Sequence, residues 1–284
     1  MASERDIKRR IKTVRNTQQI TKAMKMVAAA RIKKAEDKLK AARPYSAKLQ
    51  EMMQELVSQM DEVLHPLMEH RAVKRVGILV VTSDKGLCGA YNTNLLKQVW
   101  TYLSERKPDS YELVVVGGKG DKFLRRRKIN PVASHTGWTP DFSLALSISD
   151  NLAEWFGEAR IDELVCFYTR SVSAVTQKPA QEKILPLAAE GEQGSKTPFE
   201  FEPSAEQALN ILLPRYLRNV IYRILLESRV SELGARLKSM SNATDNAGKL
   251  ASELTLDYYR IRQNSITNEI LEISGGAEAL RASG

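Results

Sequence analysis

Ile7, Ile11 and Val14 stand four and three residues apart, and the same register runs on through Gln18, Thr21 and Lys25 to Ala28, Ile32, Ala35, Leu39 and Ala42. Positions so spaced share one face of an α-helix, so the pattern predicts a long helical stripe with a polar middle. Ser3 followed by Asp6 reads as its start, with acid in the first turn facing the positive end of the helix dipole. Pro44 is expected to kink the helix or mark a local irregularity. Leu49, Met52, Met53, Leu56, Val57, Met60, Val63 and Leu64 then resume the pattern, and His65-Pro66 is expected to stop it. The last part of the chain repeats the device more clearly. Val230, Leu233, Leu237, Met240, Thr244, Ala247, Ala251, Leu254, Tyr258 and Ile261 alternate spacings of three and four, which argues for a coiled coil. Pro214 is a second possible kink. Gly234 and Gly248 are soft spots, each costing about 1 kcal/mol against Ala, that let a neighbouring backbone approach closely. Ser274-Gly275-Gly276 is expected to end the helix. At a rise of ~1.5 Å per residue these helices would be about 88 and about 105 Å long. A compact chain of this size has a radius of gyration of about 19 Å. Neither helix fits inside such a body, so the two are expected to project and pair, antiparallel by chain order.

Between them the period changes. Arg75 to Thr82 is a buried-strand run, a helical stretch covers about Asn94 to Glu105, and Tyr111 to Val116 is a second strand. Helices are expected over Lys119 to Lys128 and Leu144 to Phe156, with a third strand from Leu164 to Tyr168. Alternation of this kind predicts a small, Rossmann-like parallel α/β domain inserted between the two long helices. The expected organisation is 1–64 for the N-terminal helix, 65–203 for the α/β domain and 204–284 for the C-terminal helix.

Charge sharpens this picture. The chain of 284 residues carries 43 Lys and Arg against 34 Asp and Glu. Met1 to Arg43 alone holds fourteen basic and four acidic residues, so one segment carries the entire excess and implies a partner with an acidic surface. A nucleic-acid reading would use Arg5, Lys8, Arg9, Arg10, Lys12 and Arg15 on phosphates. No aromatic residue lies between Met1 and Arg43 to stack on bases, and the charges go round the helix instead of forming one stripe. The longest apolar run, Val76 to Val81, is too short to cross a bilayer. The charged start is unlike a secretory signal.

Candidate catalytic chemistry is sparse. The turns Ser83-Asp84-Lys85-Gly86-Leu87-Cys88-Gly89 and Gly117-Gly118-Lys119-Gly120 follow strands, as phosphate loops do. Neither fits GxxxxGK[ST] or GxGxxG, and tight strand-to-helix turns explain the glycines. His65 and His70 flank a proline without metal-ligand spacing and read as solvated turn residues. Cys88 is a candidate nucleophile with no base close in sequence, and Cys166 reads as core. Glu36-Asp37 and Asp61-Glu62 read as solvated helix faces. No cofactor is expected.

The strings "IKRRIKTVRNTQQITKAMKMVAAARI", "TSDKGLCGAYN" and "SMSNATDNAGKLASELTLDYYRIRQNSITNEILEISGGAEAL" resemble the gamma subunit of the F-type rotary ATP synthase, and the likeness covers the whole chain. The resemblance implies a non-catalytic central rotor shaft. Its antiparallel coiled coil would enter a ring of three alpha and three beta subunits. Its foot would bind the epsilon subunit and the ring of c subunits. It would lie peripherally on the cytoplasmic face of a bacterial membrane. It further implies contact with the alpha/beta ring through Met24, Lys25, Arg236, Gln263 and Thr267, the last three facing acidic loops of beta. Contact with the c ring would use Phe199, Phe201 and Glu202; the family often has Tyr where Phe199 and Phe201 stand. The inserted cysteine pair of chloroplast relatives is missing, so no thiol control is expected. Lys25 and Arg236 are expected to bias the surrounding sites electrostatically, while Gln18, Thr21 and Lys25 would also suit fixing helix register. A basic coiled-coil nucleic-acid binder is the alternative from a different class.

Overall fold

The structure is a computed structural model and describes residues 4–58, 65–173, 176–187 and 204–282. The elements in order are α1 (Glu4–Ser58), a 3-10 turn (Pro66–Met68), β1 (Val76–Val81), α2 (Tyr91–Ser104), a second 3-10 turn (Pro108–Ser110), β2 (Tyr111–Val116), α3 (Gly118–Arg125), β3 (Ala133–His135), α4 (Phe142–Gly157), β4 (Glu163–Ser171), β5 (Gln177–Leu185) and α5 (Ala205–Ala282). Two compact units result. One comprises Met1–Val27 with Leu237–Gly284, the other Ala28–Arg236.

In the first unit α1 and α5 run antiparallel. Stepping along α1, Glu4 meets Tyr258, Gln18 lies against Gly248, Thr21 meets Thr244 and Lys25 meets Ser241, so each advance on one helix is a retreat on the other. The stripe read from the sequence is the inward face: Ile7 and Thr21 are buried, Ile11, Val14, Gln18 and Lys25 half-buried, and residues between them mostly exposed. Gly248 is approached by a side chain and not, as expected, by a backbone. A Cβ there would lie 2.8 Å from Gln18 Nε2.

In the second unit the same antiparallel order holds. Ile32, Ala35 and Leu39 of α1 pack with Leu226, Val230 and Leu233 of α5. The sheet order is β3-β2-β1-β4-β5. β1, β2, β3 and β4 pair parallel, while β5 pairs antiparallel with β4. Side chains of β1 alternate between two cores. Val76, Ile78 and Val80 face α2 and α3. Leu79 and Val81 join Ile148, Leu152 and Phe156 of α4 with Met53 and Leu56 of α1 and Leu217, Ile221 and Leu225 of α5. The mixed α/β sheet, inserted in sequence between the two long helices, thus packs one face against α4, α1 and α5 and the other against α2 and α3.

Several sequence expectations are corrected. The sheet is not wholly parallel, because β5 turns back along β4 as an edge strand, and both β3 and β5 are strands that the residue pattern does not predict. Pro44 lies inside α1 and Pro214 inside α5, and each helix continues past its proline. Near Pro44, Ser46 Oγ sits 3.0 Å from Ala42 O and 2.6 Å from Asn219 Oδ1, tying α1 to α5 where the proline ring removes a donor. Gly275-Gly276 does not end α5, which reaches Ala282. Neither glycine takes the positive φ of a helix-ending cap, and the Ala, Glu and Leu that follow are strong helix formers. His65 is half-buried and not simply solvated: its Nδ1 accepts the Leu67 N–H at 3.0 Å and caps the 3-10 turn, and burial lowers its pKa. His70 is exposed as expected. Met60, Asp61, Glu62, Val63 and Leu64 lie outside the described residues.

Candidate functional surface

The glycine-rich turns resemble a phosphate cradle in position only. Asp84 Oδ1 accepts the Gly118 and Gly137 N–H groups, both at 2.9 Å, and Oδ2 accepts the Trp138 N–H at 3.0 Å. Lys119 N–H donates to Ser83 O at 3.0 Å and Gly120 N–H to Thr82 Oγ1 at 2.9 Å. The donors that would hold a phosphate at the start of α3 are therefore occupied, and a carboxylate of the chain itself sits where the anion would go. Gly117 makes this possible. Its φ is +102°, and a Cβ would stand 2.2 Å from Thr82 O. The expected tight-turn reading of the glycines is what the geometry supports.

Cys88 lacks the setting of a nucleophile. It is buried, with Asn92 Nδ2 at 3.3 Å and Ser83 Oγ at 3.8 Å, and burial pushes its thiol pKa up. Cys166 is buried in β4, and burial raises its pKa well above the ordinary value. No group of three or more His, Cys, Asp or Glu suited to a metal occurs among the described residues.

Apart from Arg236, the charged groups with the most internal partners are not among those the sequence singles out. Glu182 on β5 bonds Arg223 of α5 at 2.6 Å and Tyr168 Oη at 2.6 Å, with Arg170 at 3.2 Å. Burial alone would raise the Glu182 pKa, but Arg223 and the other donors bring it below the usual value. Burial and the adjacent carboxylate push the Tyr168 pKa up to about 12. Farther along α5, Glu232 is buried between Arg229 and Arg236, each 2.6 Å away. Arg236 alone of these is named by the resemblance; the ties of Glu182 to Tyr168, Arg170 and Arg223 join residues 12 to 41 positions apart.

The residues carried over from the resemblance fall into distinct settings. Met24 is half-buried. Lys25 Nζ donates to Ser241 Oγ at 3.0 Å, next to the Thr21–Thr244 hydroxyl pair at 2.9 Å, so the polar middle of the stripe forms a bonded layer between the helices. Arg236 is held by Glu232 and also donates to Lys85 O and Gly86 O at 3.3 and 3.1 Å. Gln263 and Thr267 are exposed, one turn apart on α5, and Thr267 Oγ1 donates to Gln263 O. Phe199, Phe201 and Glu202 lie outside the described residues. Beyond Tyr258, the apolar side chains Ile266, Ile270, Leu271 and Ile273 are 45, 61, 63 and 74% exposed. Arg5, Lys8, Arg9, Arg10, Lys12 and Arg15 are all exposed on the paired part of α1. No described helix is long and apolar enough to cross a membrane.

Residues 3–280 match the family described as ATP synthase. The chain is 46% identical to the ATP synthase gamma chain of Desulfitobacterium hafniense, with 99% of this chain and all of that protein covered. It is 45% identical to the ATP synthase gamma chain of Heliobacterium modesticaldum over the same shares. Among solved structures, the fold is similar to a chain of the Euglena gracilis mitochondrial ATP synthase. The TM-score is 0.71 at 19% identity, with 99% of this chain and 95% of that chain covered. A chain from the Tetrahymena thermophila mitochondrial ATP synthase central stalk and c ring gives a TM-score of 0.61 at 24% identity, with 79% and 99% covered.

Proposed function

Because the chain belongs to the ATP synthase gamma-chain family, we propose that it is the central stalk of an F-type ATP synthase, turned by the c ring and coupled to the nucleotide sites of the alpha/beta ring. One observation carries the mechanical reading. The end of α5 leaves Ile266, Ile270, Leu271 and Ile273 bare beside an antiparallel pair ringed with exposed cations. Bare apolar and basic surface on a stiff helical pair fits a shaft gripped by apolar and acidic partners. Within the complex the chain does no chemistry. The occupied donors at the start of α3 support that part.

A rotor drives a site only through contacts that differ between states. Moving a site from 1:99 to 99:1 requires roughly 5.5 kcal/mol of differential contact. Such contacts with the alpha/beta ring are assigned to Gln263, Thr267 and the cations of α1, and their exposure supports that reading. Met24, Lys25 and Arg236 belong to the same proposed surface, but Lys25 and Arg236 already have partners within the chain and would share them with acidic loops. Phe199, Phe201 and Glu202 are assigned to the c ring, and the epsilon subunit to the foot. The working location is the cytoplasmic face of a bacterial membrane, reached through the c ring. Nucleic-acid binding finds no support among the relatives. Co-expression with the alpha, beta and epsilon subunits tests the assignment. It predicts a stable complex with one copy of this chain, active in ATP hydrolysis, while the purified chain alone is inactive. Active alpha/beta assemblies that exclude the chain would contradict it.

A further inference from the structure

We infer that Arg236, anchored on Glu232, is a latch that holds the Ser83–Tyr91 turn of the α/β domain against α5, so that turn and helix move as one piece. Ser228, Glu232 and Arg236 are spaced four apart and share one face of α5. All three engage the turn or its anchor. Ser228 O accepts the Tyr91 hydroxyl at 3.0 Å. Arg236 reaches the Lys85 and Gly86 carbonyls at 3.3 and 3.1 Å. Glu232 fixes the guanidinium at 2.6 Å, and its side chain is only 3% exposed. A carboxylate so buried is held by its ion pairs, and Arg229 supplies the second at 2.6 Å.

The turn needs such a brace. Leu87 has a φ of +65° and is 61% exposed, so neither its backbone preference nor its side chain holds it in place. Beneath it, Ser83, Cys88 and Asn92 bond one another and fix the base of the turn, while its crest is tied by Arg236. All three acceptors gather round one nitrogen, Nη2, with Glu232 at 2.6 Å, Gly86 O at 3.1 Å and Lys85 O at 3.3 Å, so a single guanidinium corner joins the carboxylate of α5 to the crest of the turn. The inference rests on the rotor reading only for its consequence: a latched turn transmits force from the α/β domain to the helix without slack.

The two cysteines make the latch measurable. Cys88 lies under the turn, and Cys166 lies in the sheet core as an internal control. In the purified full-length chain, the thiol reagent DTNB should label both slowly. Arg236→Met should speed Cys88 labelling on the order of tenfold or more, the scale of losing a charged hydrogen bond, with Cys166 unchanged. Arg236→Lys should fall between, and Tyr91→Phe, which deletes the second tie and keeps the ring, should also raise the Cys88 rate. Cys88 rates within twofold of the parent in both Arg236→Met and Tyr91→Phe would overturn the latch. So would a parallel rise at Cys166, which marks general loosening. If Arg236 serves only a partner's acidic loop, Arg236→Met alters turnover of the assembled enzyme and leaves Cys88 labelling in the free chain as it was. That outcome also rejects the latch while leaving the rotor assignment standing.

Discussion

Asp162 shows how single side chains fasten the α/β domain. Its carboxylate is buried and accepts the Lys74 and Arg75 N–H groups at 2.8 and 2.9 Å just before β1. Burial alone would raise its pKa, but the two backbone donors and the nearby Arg71 and Lys74 charges outweigh it, and the pKa is lowered. A depressed carboxylate pKa contributes stability that is present above the unfolded value, about 3.9, and lost as pH falls through the folded value. Thermal unfolding followed by circular dichroism should therefore fall in midpoint below about pH 4. Asp162→Asn should flatten that fall and destabilise the domain at neutral pH by about 1–3 kcal/mol. An unchanged acid limb in the variant would remove Asp162 from the account. At Gly117 the limit is steric: Gly117→Ala meets Thr82 O and must also hold a positive φ. Denaturant titration should show a loss of about 2–4 kcal/mol, and a neutral result would mean that the turn can rearrange.

Among elements, the long helices are the part most legible in the sequence, because a period of three and four residues is a property of the helix alone. Ile32, Leu39, Val230 and Leu233 were all read as inward-facing, and all are buried. β1, β2 and β4 were legible as apolar runs, since both their faces are covered. β3 has three residues, and β5, with polar side chains and Pro179, reads like a loop; pairing with β4 makes it a strand. The ties of Asp84 to Gly118, Gly137 and Trp138 were illegible because they cross between loops that only the sheet brings together. The polar layer is different again. Lys25 was visible as an oddity, but Ser241 was not visible as its partner. Polar positions in a coiled coil fix register at the expense of stability. Lys25→Leu with Ser241→Leu should thus raise the melting temperature of the full chain and weaken its specification of register. Disulfide trapping between cysteines introduced at facing positions would report this as a wider spread of cross-linked pairs. A lowered melting temperature with unchanged pairing would show that the layer is a net stabiliser.

At the scale of the whole molecule, most cations of Met1–Arg43 and the apolar end of α5 are exposed among the described residues, and both gain a use in a surrounding ring. Residues 266–277 are all exposed, so removing the chain from Ile266 onward should leave the melting temperature of the isolated chain within a degree or two, since surface positions contribute little. The same deletion should weaken retention in the assembled complex, scored as chain remaining after gel filtration. A large loss of stability in the free chain would mean that the end of α5 folds back onto the rest. The most direct measurement is single-molecule rotation. With the alpha/beta ring fixed to a surface and a probe attached to the α/β domain of this chain, ATP should drive continuous unidirectional turning, in step with hydrolysis. A probe that stays still while the same complexes hydrolyse ATP at full rate would contradict the rotor assignment.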